Sequence, residues 1–216
     1  MCSLVLLVVL SLAAPTRALA DERHAKPERD FGKFTDWLQL AAGAAAGFVG
    51  HELGHVTTDV ITGHHPTFVR THTGPFPFFA IQPCCGVLSR SSEYAIASAG
   101  FIVGDVSSEL IFHLVPNIRT RHAPFLKGIL LFDTVLAVGY AVTGFLEARW
   151  PDIGPAQSDI NSMARALGVP PWQVGLYLMT PALIDVYRYF VPGSPVAPWV
   201  SLQGKAMMLG ITLPLL

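Results

Sequence analysis

Two histidines and a glutamate have the spacing of a metal-binding motif. They lie in the stretch Phe48 to Gly63, FVGHELGHVTTDVITG. His51 and His55 are four residues apart, so in a helix both imidazoles lie on one face and can bind the same zinc ion. Glu52 sits one step round the helix. From there its carboxylate can reach a metal-activated water without being a ligand, which is the general-base position of the HExxH pattern.

The segment around these residues, from Trp37 to Ile61, is apolar and rich in alanine and glycine. It is long enough to cross a hydrocarbon core of ~30 Å at ~1.5 Å per residue. Ionisable side chains in such a segment cost several kcal/mol unless partners satisfy them, so they indicate a functional site. The structural alternative is a polar contact between helices. Asp59, one turn beyond His55, is either a polar helix end or a partner that orients an imidazole.

The composition is that of a membrane protein. Of the 216 residues, 51% are hydrophobic and 13% are charged, and the mean hydropathy is +0.47. These values predict a single polytopic membrane domain rather than a soluble globule. The chain has no basic run and no nucleic-acid-binding signature, so we expect no nucleic acid partner.

The chain divides into three segments. Residues 1–20 are apolar, end in Ala18-Leu19-Ala20, and predict either a signal peptide or a short uncleaved first span. Residues 21–36 are a polar connector, and residues 37–216 are the membrane-embedded domain. A cleaved leader would translocate the basic residues of the connector, whereas the charge-bias rule keeps them inside, so the orientation stays open.

The fold class expected is all-α, a polytopic bundle of about four to five transmembrane helices. A Pro/Gly-rich loop from Gly63 to Arg90 follows the HExxH helix. Ser158 or Asp159 would cap a short amphipathic helix that Gly168 ends. The predicted spans are residues 37–61, 91–116, 123–145 and 171–190, with 198–216 as a fifth span or a half-buried C-terminal helix.

The HELGH motif inside an apolar, Ala/Gly-rich helix resembles the intramembrane zinc metalloproteases of the site-two protease type. The match in this motif is complete at His51, Glu52 and His55. The resemblance implies that a later membrane helix supplies a metal-binding aspartate. It also implies that the stretch after the HExxH helix forms a strand or re-entrant segment that holds the substrate extended near the active site.

A catalytic zinc site needs three protein ligands and one open position, so a carboxylate must complete the pair of histidines. In the resembling family this ligand lies in a proline-containing helix with a Leu-Asp-Gly signature. Pro181 to Asp185 is the nearest counterpart, although Val186 stands where that signature has glycine. Asp185 is therefore the first choice and Glu109 the alternative. Asp133 fits the order of helices but lacks the proline.

The function predicted is zinc-dependent hydrolysis of peptide bonds in membrane-protein or peptide substrates within the lipid bilayer, with Glu52 as general base. Two alternatives stay open. The chain could be a non-proteolytic metal-binding or metal-transport protein, with a path that includes Asp105, Glu109 and Asp133. It could also be a membrane scaffold whose polar groups only pair between helices.

Overall fold

The computed structural model describes residues 31–73, 76–84, 87–149, 158–191, 194, 196–203 and 206–212. The predicted leader, and the connector up to residue 30, lie outside the described residues.

The described residues are mostly helical, as predicted. Local signals set several helix ends. Ser89 begins the second helix by accepting a hydrogen bond from the Ser92 amide at 3.1 Å, and Gly168, with φ 72°, ends the fourth in a left-handed conformation. The α-helices are α1 Phe34–Ile61, α2 Arg90–Leu114, α3 Pro124–Arg149, α4 Asp159–Leu167 and α5 Pro171–Phe190, with a 3-10 turn at Ile118–Thr120.

Two antiparallel β-hairpins complete the described fold, so the all-α prediction is wrong for these segments. Strand β1 His65–Thr73 pairs with β2 Phe76–Cys84, and β3 Ala197–Gln203 pairs with β4 Ala206–Thr212. The first hairpin lies in the Pro/Gly-rich loop. The second replaces the fifth span or C-terminal helix expected from residue 198 onward. Trp199, Val200 and Ile211 favour strands, and apolarity alone does not distinguish a strand from a buried helix.

Two of the described helices, α2 and α3, are long and apolar enough to cross a bilayer. Helix α3 packs against α1 and α5, and α1 packs against α2. Glycines bring α1 and α3 into backbone contact. A Cβ atom at Gly43 would lie 1.9 Å from the carbonyl oxygen of Phe125, and one at Gly128 would lie 2.1 Å from that of Leu40. Small residues therefore set this helix spacing.

The short helix α4 is fixed by the main hydrophobic core. Its side chains Ile160 and Met163 are 0% and 1% exposed. Full burial of such side chains contributes about 1.5–3 kcal/mol each. This packing against α2 and α5 places Asp159, at the N-terminal end of α4, within reach of the histidines of α1. The core cluster comprises Ala97, Phe101, Ile160, Met163, Ala164, Val174 and Leu178.

Candidate metal centre

The two histidines of the HExxH motif face each other inside the bundle. His51 and His55 are both 4% exposed, and their Nε2 atoms lie 3.1 Å apart. The Nδ1 atom of His55 is 2.7 Å from the carbonyl oxygen of Ile96 on α2. Because a carbonyl only accepts, Nδ1 carries the proton and donates it, which leaves a lone pair on Nε2 for a metal.

Asp159, the first residue of α4, completes the group. Its Oδ2 atom is 3.4 Å from Nε2 of His51 and 3.4 Å from Nε2 of His55. The Tyr140 hydroxyl of α3 donates a hydrogen bond to the same oxygen at 3.0 Å. Side chains of α1 and α3 therefore converge on one carboxylate oxygen of α4.

The sequence of α4 explains why Asp159 points inward. Asp159 precedes Met163 by four residues, so the two side chains share a helix face, and Met163 is buried in the core. Ser158 caps the helix by accepting a hydrogen bond from the Asn161 amide at 3.4 Å. Arg165 pairs with Glu93 of α2 at 2.8 Å, which ties the other end of α4 to the bundle.

The histidines hold Asp159 in its charged form. Burial by itself raises the pKa of this carboxyl, but the hydrogen bonds and charge of His51 and His55 lower it, and the net pKa lies below its usual range. A carboxylate that is already ionised can bind a cation without first losing a proton.

The spacing of these three atoms fits a zinc ion. Nitrogen and carboxylate ligands lie about 2.0–2.2 Å from zinc in a tetrahedron, so neighbouring ligand atoms should be about 3.3 Å apart. The three ligand atoms of His51, His55 and Asp159 are separated by 3.1, 3.4 and 3.4 Å. Among the described residues, this is the one such group of three whose ligand atoms all lie within 4.8 Å of one another. No fourth His, Cys, Asp or Glu of the described residues belongs to this group, so a tetrahedral ion bound here would keep one position open.

Glu52 lies beside this group and is half-buried. Its carboxylate interacts electrostatically with His51, His55 and Asp159, and the backbone amide of Ile81 on β2 donates toward it. The first hairpin thus lies directly against the candidate general base. A strand in this position agrees with the expectation that followed from the resemblance.

The other carboxylates considered as third ligands have partners elsewhere. Asp185 lies 3.5 Å from the Arg188 guanidinium, which also forms a short ion pair with Glu109. Asp133 accepts a hydrogen bond from the Ser108 hydroxyl at 3.1 Å. The structure therefore places Asp159 beside the histidines, in the position that the sequence led us to expect for Asp185 or Glu109.

Asp159 was missed because its position fitted a helix cap. The sequence did carry a usable signal, since Asp159, Ile160, Met163 and Ala164 fall on one face of a short amphipathic helix. A carboxylate on the apolar face of such a helix needs a partner in the core.

A cavity adjoins the group at His51. It lies between α2, α3 and α5, and His51 forms part of its wall. Asp105, Asp133 and Asp185 also line it, together with Ser108. Three aspartates therefore share this cavity with one of the candidate metal ligands.

Comparisons with protein-family models, with curated proteins and with solved structures found no match for this chain.

Proposed function

We propose that this protein is a membrane-embedded zinc protease that hydrolyses peptide bonds in membrane proteins or peptides. His51, His55 and Asp159 would hold the metal, and Glu52 would be the general base. The convergence of three ligand atoms at tetrahedral spacing, with a fourth position open and Glu52 adjacent, carries the proposal. Helices α1 and α5 would cross the bilayer together with α2 and α3.

Zinc at these ligands would supply Lewis acidity, which lowers the pKa of water toward ~7 and polarises a substrate carbonyl. The residues of the chain have separate tasks. Glu52 accepts a proton from the attacking water and can return it to the leaving amine. His55 is held in the ligating tautomer by Ile96. The hairpin beside Glu52 offers backbone groups to an extended peptide, which a substrate helix must become before its amide is accessible.

Metal content of the detergent-purified chain tests the ligand set. We expect about one zinc per wild-type chain, and loss of zinc in His55→Ala and Asp159→Asn. Asp185→Asn is the matched control and should keep its zinc, because Asp185 pairs with Arg188 instead. Loss of zinc in Asp185→Asn but not in Asp159→Asn would overturn the assignment. A wild-type chain without metal after zinc reconstitution would overturn the proposal itself.

Cleavage is tested separately with Glu52→Gln. This variant should bind zinc like the wild type but lose at least 10²-fold in cleavage rate, because the base is missing. A suitable substrate is a single-span peptide with a Gly-Pro pair in its helix, compared with the same peptide without the pair. Cleavage near the helix break by the wild type alone is the expected result. Equal cleavage by Glu52→Gln would contradict the role of this residue.

The acidic cavity favours metal transport as a second candidate function. Carboxylates that line a path from His51 toward α5 could pass a cation along the bundle. In that case Glu52→Gln would change neither zinc binding nor zinc flux into vesicles, whereas Asp105→Asn and Asp133→Asn would reduce the flux. A protease would show no zinc flux in the wild type.

A further inference from the structure

The Tyr140 hydroxyl stands out because it bonds the one carboxylate oxygen that faces both histidines. The donor-to-acceptor distance to Asp159 Oδ2 is 3.0 Å, and that oxygen is 3.4 Å from each imidazole Nε2. The phenol is a single donor, so its bond occupies one lone pair of Oδ2 and fixes the rotation of the carboxylate about its side chain.

The Tyr140 ring is itself held in place by aromatic packing. It meets Phe101 edge to face, with centroids 5.2 Å apart and planes at 81°. Phe101 in turn meets the His51 ring at 5.2 Å and 89°. One buried phenylalanine therefore sets the relative positions of a metal-ligating candidate and of the group that orients another. Edge-to-face pairs of this kind contribute energy beyond their buried area.

We propose that Tyr140 is a positioning residue that orients Asp159 as the third metal ligand. This inference rests on the proposed function. With the phenol bound to Oδ2, the carboxylate is held with that oxygen toward the Nε2 atoms of both histidines. The site would therefore present its carboxylate ligand already oriented to an incoming ion. Hydrogen-bond partners of metal ligands commonly contribute 10- to 100-fold in metal affinity.

Tyr140→Phe tests the inference, because it removes the hydroxyl and keeps the ring that packs against Phe101. Zinc affinity of the full-length, detergent-purified protein is measured by competition with a chelator. We expect a loss of about 10- to 100-fold. Tyr177→Phe is the matched control. Tyr177 packs against the same core cluster, and no hydrogen bond from it to Asp159 is found among the described residues.

A second readout separates positioning from a general structural role. Cobalt is substituted for zinc, and its visible absorption, which reports coordination number, is compared in the wild type and in Tyr140→Phe. We expect a changed absorption spectrum in the variant, because the carboxylate of Asp159 is no longer held in one orientation. Thermal unfolding of the metal-free proteins checks that both phenylalanine variants are folded.

The outcomes are distinguishable. In one outcome the wild type binds zinc, and Tyr140→Phe keeps the same zinc affinity and the same cobalt spectrum. That result overturns the role of Tyr140 and leaves the proposed site intact. Equal loss of affinity in Tyr140→Phe and Tyr177→Phe also overturns it, since a packing effect would then explain both. Absence of zinc binding in the wild type overturns the proposed function and this inference together.

Discussion

At the scale of single residues, Asp59 differs from the candidate ligands in its hydrogen bonding. It is 0% exposed, and neither of its carboxylate oxygens has a hydrogen-bond partner among the residues that the structure describes. It lies one turn beyond His55 and was a candidate to orient that imidazole. The hydrogen bond of His55 Nδ1 is already accepted by the carbonyl oxygen of Ile96. Within the described part of the chain, Asp59 therefore lies outside the hydrogen-bond network of the candidate metal centre.

We predict that Asp59→Asn keeps full zinc content and unfolds at a temperature equal to or above that of the wild type. A buried carboxyl without a hydrogen bond costs about 1–3 kcal/mol, and the amide has the same shape without the charge. Thermal unfolding and metal analysis on one preparation measure both quantities. Loss of zinc would instead show that Asp59 supports the histidines.

At the scale of elements, the contact between α1 and α2 sets the position of His51. A Cβ atom at Gly100 would lie 2.4 Å from His51 Nδ1, so the absence of a side chain makes room for the imidazole. A Cβ atom at Gly54 would lie 2.8 Å from the Ala99 carbonyl oxygen. At Gly54 and Gly100 the two helices are therefore so close that no side chain fits between them.

We predict that Gly100→Ala abolishes zinc binding or weakens it by more than 10-fold, because the added methyl group must displace the His51 ring. Gly139→Ala is the control, since a Cβ atom there meets nothing within 4 Å. In a helix that substitution should be neutral or stabilising by up to about 1 kcal/mol. Chelator competition compares the two variants. Equal zinc affinity in both would show that the helices can separate at no cost to the site.

At the scale of the whole molecule, the outer surface of the helices is apolar. Large side chains are exposed on α1 and α2 as well as on α3, including Leu53 at 55%, Val106 at 59% and Val135 at 60%. Many exposed large apolar side chains are unfavourable in water. Together with the length and apolarity of α2 and α3, it favours a location in lipid.

We predict that the protein stays in the membrane fraction after washes with 1 M salt and with alkaline carbonate, and that only detergent releases it. A protein bound at the surface by charge would be released by the salt wash, because ionic attraction is screened there. Fractionation followed by immunoblotting measures the distribution. Release by carbonate alone would contradict the proposed bilayer crossing.

Much of this protein follows from local sequence. Helical periodicity, the cap at Ser158 and the stop at Gly168 predict α4, and Pro171 and Phe190 were correctly expected to bound α5. The spacing of His51 and His55 on one face is a property of any helix. These features depend on residues a few positions apart, so the sequence alone determines them.

Only the tertiary structure shows which carboxylate lies beside the two histidines. Asp159 is 108 residues from His51, and their contact depends on how α4 packs into the core formed with α2 and α5. Asp185, which a motif resemblance favoured, lies instead 3.5 Å from the guanidinium of Arg188, three residues further along the same helix. The C-terminal hairpin was missed for a related reason, because strand pairing, like helix packing, is decided by partners distant in sequence.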